Sequence, residues 1–429
     1  MENAVKISRR TLLSASALGI AAASLTSCSD DAPTDDGSTA PDGGGSDGED
    51  AVPDRADADL VIWADQLKAD SLDAAASEWG ETNGLTVAVQ AVSGDLQGSF
   101  ITANQAGNGP DVIVGAHDWI GNLVQNSAIT PVQLPAEAAE KLAPIAVSAT
   151  TYDGQAYGVP YSVETLALYA NKALTDTLAP ATIEEMVAAG EAGGAENPLS
   201  LQVGEGGDPY HMQPLYTSGG GYLFGTDADG NLDPNDLGVG KEGAVRAGEE
   251  IGELGEQGVL KTSITGENSI ALFTDGKAAY LVSGPWAVAE VETAGIDYAI
   301  APVPGFEGMD PAVPFAGVNS FFVASSGQNR AFAEQFVNEI ATSPAIPEAM
   351  FAENKLPPVN LELQEKLLAD NPELVEIARY AEDAEPMPSI PAMSAVWGPL
   401  GKAQAAIVGG ADPESTMVSA GEAIATQIG

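Results

Sequence analysis

An α/β fold in two lobes is what the chain predicts, and three observations predict it. From Leu60 onward, strand-like apolar runs alternate with helix-spaced runs, the mark of βαβ units and a largely parallel sheet. Residues 157–172, YGVPYSVETLALYANK, hold two extended runs, 157–161 and 163–169, joined without a tight turn. A carboxylate, Glu164, stands where the first run hands over to the second. Pro160 removes a ladder donor and biases Val159 toward an extended backbone. A strand passing from one lobe to the other accounts for this pair of runs, with Glu164 at the crossing. A charge there is costly unless something polar meets it. It either pairs with a basic residue in a hinge or hydrogen-bonds a polar ligand held between the lobes.

Taken in order, the chain opens on Ser8-Arg9-Arg10 and an Ala-rich apolar run over 12–25, ending Leu25-Thr26-Ser27-Cys28. The run is shorter than the ~20 residues that span a bilayer. A basic head, a short apolar middle and small residues before a cleavage point make an export signal. The twin arginines fit the twin-arginine route and leave the general secretory route open. The Leu-Thr-Ser-Cys ending resembles a bacterial lipobox. Cys28 is the only cysteine, so no internal disulfide forms, and a role as lipid attachment point explains its solitude. Residues 29–59 are mostly Asp, Gly, Ser, Pro and Ala with Arg55 as their only base. Such a segment has no apolar surface to offset chain entropy and is expected to be a disordered, extended tether.

The body begins at residue 60. Leu60-Val61-Ile62-Trp63 is a strand, followed by a loop with Asp65, Gln66 and Lys68. Residues 71–82 are helical, with Leu72, Ala75, Ala76 and Trp79 on one face and Gly84 as the stop. A strand over 85–92, a helix over 96–105, a strand over 111–114 and a helix from Trp119 follow. In open α/β sheets, ligands bind at loops after the strands' carboxyl ends; here those loops carry Asp65 to Lys68 and His117-Asp118-Trp119. Further on, Thr182 and Glu185 form a capping box. Residues 199–203 are a strand leading into Gly206-Gly207-Asp208-Pro209-Tyr210. Helices are expected over 213–217, 242–257 and 268–275, and a strand over 279–282. Gly284-Pro285-Trp286 then opens the next helix. Strands over 298–302 and 320–324 precede a helical tail over 329–342, 361–371, 372–383 and 394–408. A last helix is capped by Asp412 with Pro413 in its first turn. Asp227 to Asp233 superficially suggests a calcium loop. Its glycine falls too early and no glutamate closes it, so Asp229-Gly230 reads as a hairpin turn. No metal or cofactor is expected.

Two residue types recur at the strand-end loops: carboxylates (Asp65, Asp118, Glu164, Asp208) and rings (Trp119, Tyr210, Trp286, Trp397). Together they suit a sugar, whose C–H faces lie on rings while its hydroxyls donate to carboxylates. Trp63 and Trp79 read as core; Trp286 and Trp397 stand open between core and cleft. Catalytic signatures are absent: two histidines, and no Gly-x-Ser-x-Gly elbow, His-Glu-x-x-His helix or Walker loop. A glycoside hydrolase needs only two carboxylates flanking a bond and remains the alternative from another class.

Residues 60–428 resemble the maltose/maltodextrin-binding proteins of ATP-binding-cassette (ABC) importers. The resemblance rests on Leu60 to Trp63, Gly109-Pro-Asp-Val-Ile113 with Ala116-His-Asp118, and residues 157–172. It continues through Asp208-Pro-Tyr210, Gly219-Gly-Gly-Tyr222, Gly284-Pro-Trp286, Pro314-Phe-Ala-Gly-Val318 and the run from Met387 to Trp397. Their order and spacing are kept over nearly the whole body. The resemblance implies a two-lobed periplasmic-binding-protein fold (class II), each lobe a mixed, mostly parallel sheet flanked by helices, with hinge crossovers. It implies lobes of 60–162 with 320–368, and 163–319 with 369–429. It also implies a monomer that captures maltose or maltodextrin-type oligosaccharides for an ABC permease, or a different oligosaccharide on the same fold. By the same resemblance Lys68, Asp118, Glu164 and Asp208 hydrogen-bond sugar hydroxyls, Tyr210, Trp286 and Trp397 stack on sugar rings, and Asp65 lies near a polar contact. The chain departs from the pattern in three places. Gly115 and Trp119 stand where a tryptophan and an arginine flank the His-Asp pair, Gly266 replaces a tyrosine, and Gly401 replaces an arginine beside Lys402.

The formal charge is −46 for the whole chain, and 50 acids against 12 bases leave about −38 on residues 60–429. Such a surface repels nucleic acid, which demands Lys and Arg. Adaptation to high external salt is the hypothesis it raises, because a short Debye length screens self-repulsion. It predicts a thermal midpoint that climbs as sodium chloride is added from 0.1 to about 2 M; a flat or falling midpoint counts against it.

Overall fold

The computed structural model describes residues 53–228 and 231–429. The export signal, Cys28, most of the tether and the Asp229-Gly230 turn lie outside the described residues. The body holds a seven-stranded and a four-stranded sheet, each flanked by helices.

In the first sheet β1 (Leu60–Ala64) lies between β2 (Val87–Ala91) and β3 (Val112–Ala116), parallel to both. β1 is buried along its whole length because both faces are covered. Leu60, Ile62 and Ala64 enter one core with Leu72, Ala76, Trp79 and Phe336, while Val61 and Trp63 enter another with Phe100, Ile120 and Phe322. This is the period-two alternation of a strand, apolar on both sides. Trp63 and Trp79 are thus core residues, Trp79 meeting Phe336 edge-on at 5.0 Å. Helix α1 spans Gln66–Asn83, starting five residues earlier than apolar spacing indicates. Asp65 caps it by accepting from the Lys68 amide, so the expected loop is the helix's first turn. Gly84 ends it in the left-handed region, φ 70°. Helix α2 (Leu96–Ala106) joins β2 to β3.

β4 (Gly158–Glu164) and β5 (Ala167–Asn171) are the paired runs of the opening stretch. The break falls at Thr165-Leu166: Val163 and Glu164 still pair with Val318 and Gly317 of β9 (Phe315–Ala324) in the first sheet. β5 belongs to the second sheet with β6 (Asn197–Leu201), β7 (Ala278–Ser283) and β8 (Tyr298–Ala301), in the order β8-β5-β7-β6. Leu168 and Ala170 face one core of this sheet, and Ala167 and Tyr169 the other. β6 and β7 are parallel; β5 runs antiparallel to β7 and β8, and β9 antiparallel to β3 and β4. The parallel strands of the first sheet come from local βαβ units, whereas β6 and β7 pair in parallel across three intervening helices. The antiparallel strands are the ones that cross between sheets, which sequence alternation alone does not orient. Thr182 and Glu185 do form a capping arrangement: Thr182 accepts from the Glu185 amide, and the Glu185 carboxylate reaches back to the Ala181 amide.

The tether was expected to run to residue 59, but Arg55 is already part of the body. Its guanidinium, only 8% exposed, meets the fully buried Asp111 carboxylate at 2.7 Å and donates to the Gly109 carbonyl. Asp111 also accepts from the Val61 and Asn329 amides, so one carboxylate binds the leading segment, β1 and the start of helix α6 (Arg330–Thr342) together. Removing one partner of a buried ion pair costs roughly 3–5 kcal/mol. Arg55→Ala should therefore destabilise the protein by about 3 kcal/mol, the low end because two amides remain on Asp111. A urea midpoint unchanged from wild type would contradict the pairing.

Candidate functional site

The acids and rings singled out in the sequence sit at strand ends and first turns of helices. Asp65 follows β1. Asp118 and Trp119 lie in the 3-10 turn His117–Trp119 directly after β3. Glu164 is the last residue of β4. Asp208 caps helix α4 (Pro209–Ser218), with Pro209 in its first turn and Tyr210 next. Trp286 sits in the 3-10 turn Pro285–Ala287 after β7, and Trp397 opens helix α9 (Trp397–Val408).

Three of the four rings come together, around a fourth that the sequence did not single out. Tyr210 lies 6.3 Å from Trp286 and 6.1 Å from Phe315, and Phe315 meets Trp397 edge-on at 6.0 Å. Phe315 is buried at the start of β9. It lies inside the Pro314–Val318 motif, which was the signal available for it. Trp119 takes no part in this cluster; it packs on the core around Trp63, Phe100 and Ile120.

The carboxylates are placed around these rings, each in a different electrostatic state. Asp118 is buried, and burial pushes its carboxyl up to about 7, although a hydrogen bond from the Trp397 side chain works the other way. Glu164 is also raised by burial, offset by Lys68 and by a 3.1 Å bond from Asn319, while Asp65 adds to the rise. Lys68 Nζ donates to Asp65 at 2.6 Å. Glu164 thus lies near Asp65 and Lys68 at the start of α1 and near His211 in α4. Burial works to raise Asp208 too, but hydrogen bonds from the His211 ring and amide and from Gln202 outweigh it and hold its carboxyl below the usual range. The Tyr210 hydroxyl is buried without a partner. Burial first, then Glu164, Asp208 and Asp118, hold that hydroxyl protonated.

His117 is structural. Its Nδ1 accepts from the Val318 amide at 3.1 Å, so Nε2 carries the proton and donates to the Met387 carbonyl at 3.0 Å. Burial lowers its pKa to about 4, so it is neutral. Sequence reading missed His211, Gln202 and Asn319 as site residues, because each acts through a partner distant in the chain or hidden by a turn.

The three departures from the sequence pattern have one physical form: a ring, a side-chain amide or backbone occupies the space of the missing side chain. A Cβ on Gly115 would lie 2.1 Å from the Trp119 ring, so a large side chain at 115 and this placement of Trp119 exclude each other. A Cβ on Gly266 would press at 3.1 Å on the Gln202 amide, which holds Asp208. Gly401 packs on the loop before Asp208: Gly207, at φ +77°, has no room for a Cβ against the Gly401 carbonyl.

Comparison with known proteins follows the same direction. The bacterial extracellular solute-binding protein family matches residues 74–376. A galactooligosaccharide-binding protein of Bacillus subtilis is 29% identical over 388 residues, 86% of this chain and 89% of that protein. A maltodextrin-binding protein of the same organism is 29% identical over 334 residues, 74% and 77% of the two chains. A maltooligosaccharide ABC transporter solute-binding lipoprotein of Streptococcus pneumoniae is 23% identical over 353 residues, 80% and 82%. These relatives are binding proteins rather than enzymes. No helix among the described residues is long and apolar enough to cross a membrane.

Asp118 gives a pH prediction. Its folded pKa, about 7, exceeds the ordinary 3.8, so the folded state holds the extra proton between these values. The stability it confers is full below pH 4 and is lost as pH rises through 7. His117 has the opposite sign, its folded value of about 4 lying below 6.5, so its share is lost as pH falls from 6.5 toward 4. Asp118→Asn should remove only the first effect. Its thermal midpoint relative to wild type should rise between pH 4 and 8, by the equivalent of about 4 kcal/mol at most. A difference that does not change with pH would refute the assignment.

Proposed function

Because the chain belongs to the bacterial extracellular solute-binding protein family, we propose that it captures a maltodextrin-type oligosaccharide outside the cell and delivers it to an ABC permease. The observation that carries this reading is the convergence of Tyr210, Trp286, Phe315 and Trp397 with Asp118 and Glu164, drawn from both sheets. Rings accept the apolar faces of a pyranose, and carboxylates accept from its rim. A charge-assisted hydrogen bond contributes about 1.5–3 kcal/mol, and an aromatic contact about 0.5–1.5 kcal/mol beyond its area. Several of each reach the roughly −8 kcal/mol of a micromolar constant after ordering costs. Asp65, Lys68, Glu164 and Asp118 supply the polar side together with the Asp208 loop, Tyr210, Trp286 and Trp397 the stacking side, and Trp119 packs on the core behind Asp118.

In this reading the lobes are 60–162 with 320–368, and 163–319 with 369–429, and the β4–β9 seam lies on their boundary. Closure is favoured by ligand contacts made from both sides. The protein acts as a monomer, exported through Arg9-Arg10 by the twin-arginine route and anchored by a lipid on Cys28. The pneumococcal relative, named a lipoprotein, supports the anchor.

A galactooligosaccharide is the second reading. It is favoured by the relative that matches 86% of this chain and by the three departures at the site. A thermal-shift panel of maltotriose, maltotetraose and β-1,4-galactotetraose separates the two, since a ligand that binds only the folded state raises the midpoint. Trp286→Ala and Glu164→Ala should each weaken binding of the preferred sugar at least tenfold with the fold intact. Unchanged calorimetric titration of both variants would reject the site.

A further inference from the structure

Asp208 is surrounded by donors from its own chain. Its Oδ1 accepts from the His211 amide at 3.0 Å, and its Oδ2 accepts from Gln202 Nε2 and from His211 Nδ1 at 3.0 Å. An ionised carboxylate offers about four acceptor positions, and three are taken. An acceptor-only Oδ2 requires the proton on His211 Nδ1, which leaves Nε2 of the neutral ring as an acceptor. No described residue partners Nε2, and Nε2 is not among the fully buried unpartnered atoms. The imidazole stands edge-on to two of the site's rings, 5.6 Å from Tyr210 and 6.0 Å from Trp286 at interplanar angles of 70° and 75°.

Resting on the carbohydrate-capture reading above, we infer that His211 Nε2, not the Asp208 carboxylate, is the acceptor for a hydroxyl of the sugar unit held against Tyr210 and Trp286. Asp208 and Gln202 are positioning residues. They fix the ring's orientation and its tautomer, and Gly266 leaves the space in which Gln202 does so. Substrate preference at this subsite is then set by an aromatic acceptor with one lone pair, which demands a hydroxyl aimed at it in the ring plane. A carboxylate accepts from a much wider range of directions.

The test is a double-mutant cycle read by isothermal titration with maltotriose and β-1,4-galactotetraose, each variant first checked for a cooperative thermal transition. His211→Phe keeps the ring and removes the nitrogen; it should weaken binding at least tenfold. His211→Gln, whose amide reaches close to the Nε2 position, should recover to within about threefold of wild type. Asp208→Asn should weaken binding in the wild-type background but by less than twofold in the His211→Phe background. An Asp208→Asn loss of equal size in both backgrounds overturns the inference, because Asp208 then touches the sugar itself. His211→Phe binding as tightly as wild type also overturns it. If Trp286→Ala still abolishes binding in that case, the carbohydrate site stands and only the role of His211 falls. A wild-type protein that binds neither sugar overturns both.

Discussion

The two strands that carry the chain between its sheets lie side by side, and the site depends on that pairing. β4 leaves the first sheet at Glu164, β9 enters it at Phe315, and their antiparallel ladder sets Gly317 opposite Glu164. Thr165 adds a hydroxyl bond to the Phe315 carbonyl at 2.8 Å just beyond the ladder. Neither crossing shifts along the other without breaking backbone hydrogen bonds that nothing else would satisfy. Glu164, Asn319 and Phe315 are therefore held as one unit at the point where both sheets contribute. His117 extends the same unit: its two ring nitrogens tie the turn after β3 to Val318 and to the Met387 carbonyl. A buried histidine kept neutral suits this role, since both of its bonds are to backbone groups and no counter-charge is needed.

That anchoring explains why so acidic a chain tolerates several carboxylates in one place. Their charges are handled one at a time. Asp65 is matched by Lys68, Asp208 is held by His211 and Gln202, Asp118 is driven toward its neutral form, and Glu164 is steadied by Lys68 and Asn319. The surroundings offer hydrogen-bonding groups more than net field, which fits a neutral polyhydroxyl ligand better than an ion. The buried, unpartnered Tyr210 hydroxyl has the same character.

Much of this was legible in the sequence. The two extended runs with a carboxylate between them marked the crossing, and local capping chemistry marked helix starts at Thr182 and Asp412, while the caps at Asp65 and Asp208 lay in stretches read as loops. What escaped was decided by partners far away in the chain. Phe315 becomes a site residue only because β9 pairs with β4, and the strand directions of β5 and β9 follow from the crossover rather than from local periodicity. Arg55, surrounded by Asp, Ala and Pro, had nothing local to distinguish it; its partner lies 56 residues on. Trp119, an aromatic in a strand-end loop by every local sign, turned onto the core because Gly115 left it a seat there.

The last of these bears on ancestry. With the Trp119 ring lying across Gly115, neither position is free to change alone: a bulky residue at 115 collides with the indole, and a small one at 119 opens a hole over a bare backbone. Inheritance then acts on the pair: a larger side chain at 115 calls for a compensating change or displacement at 119.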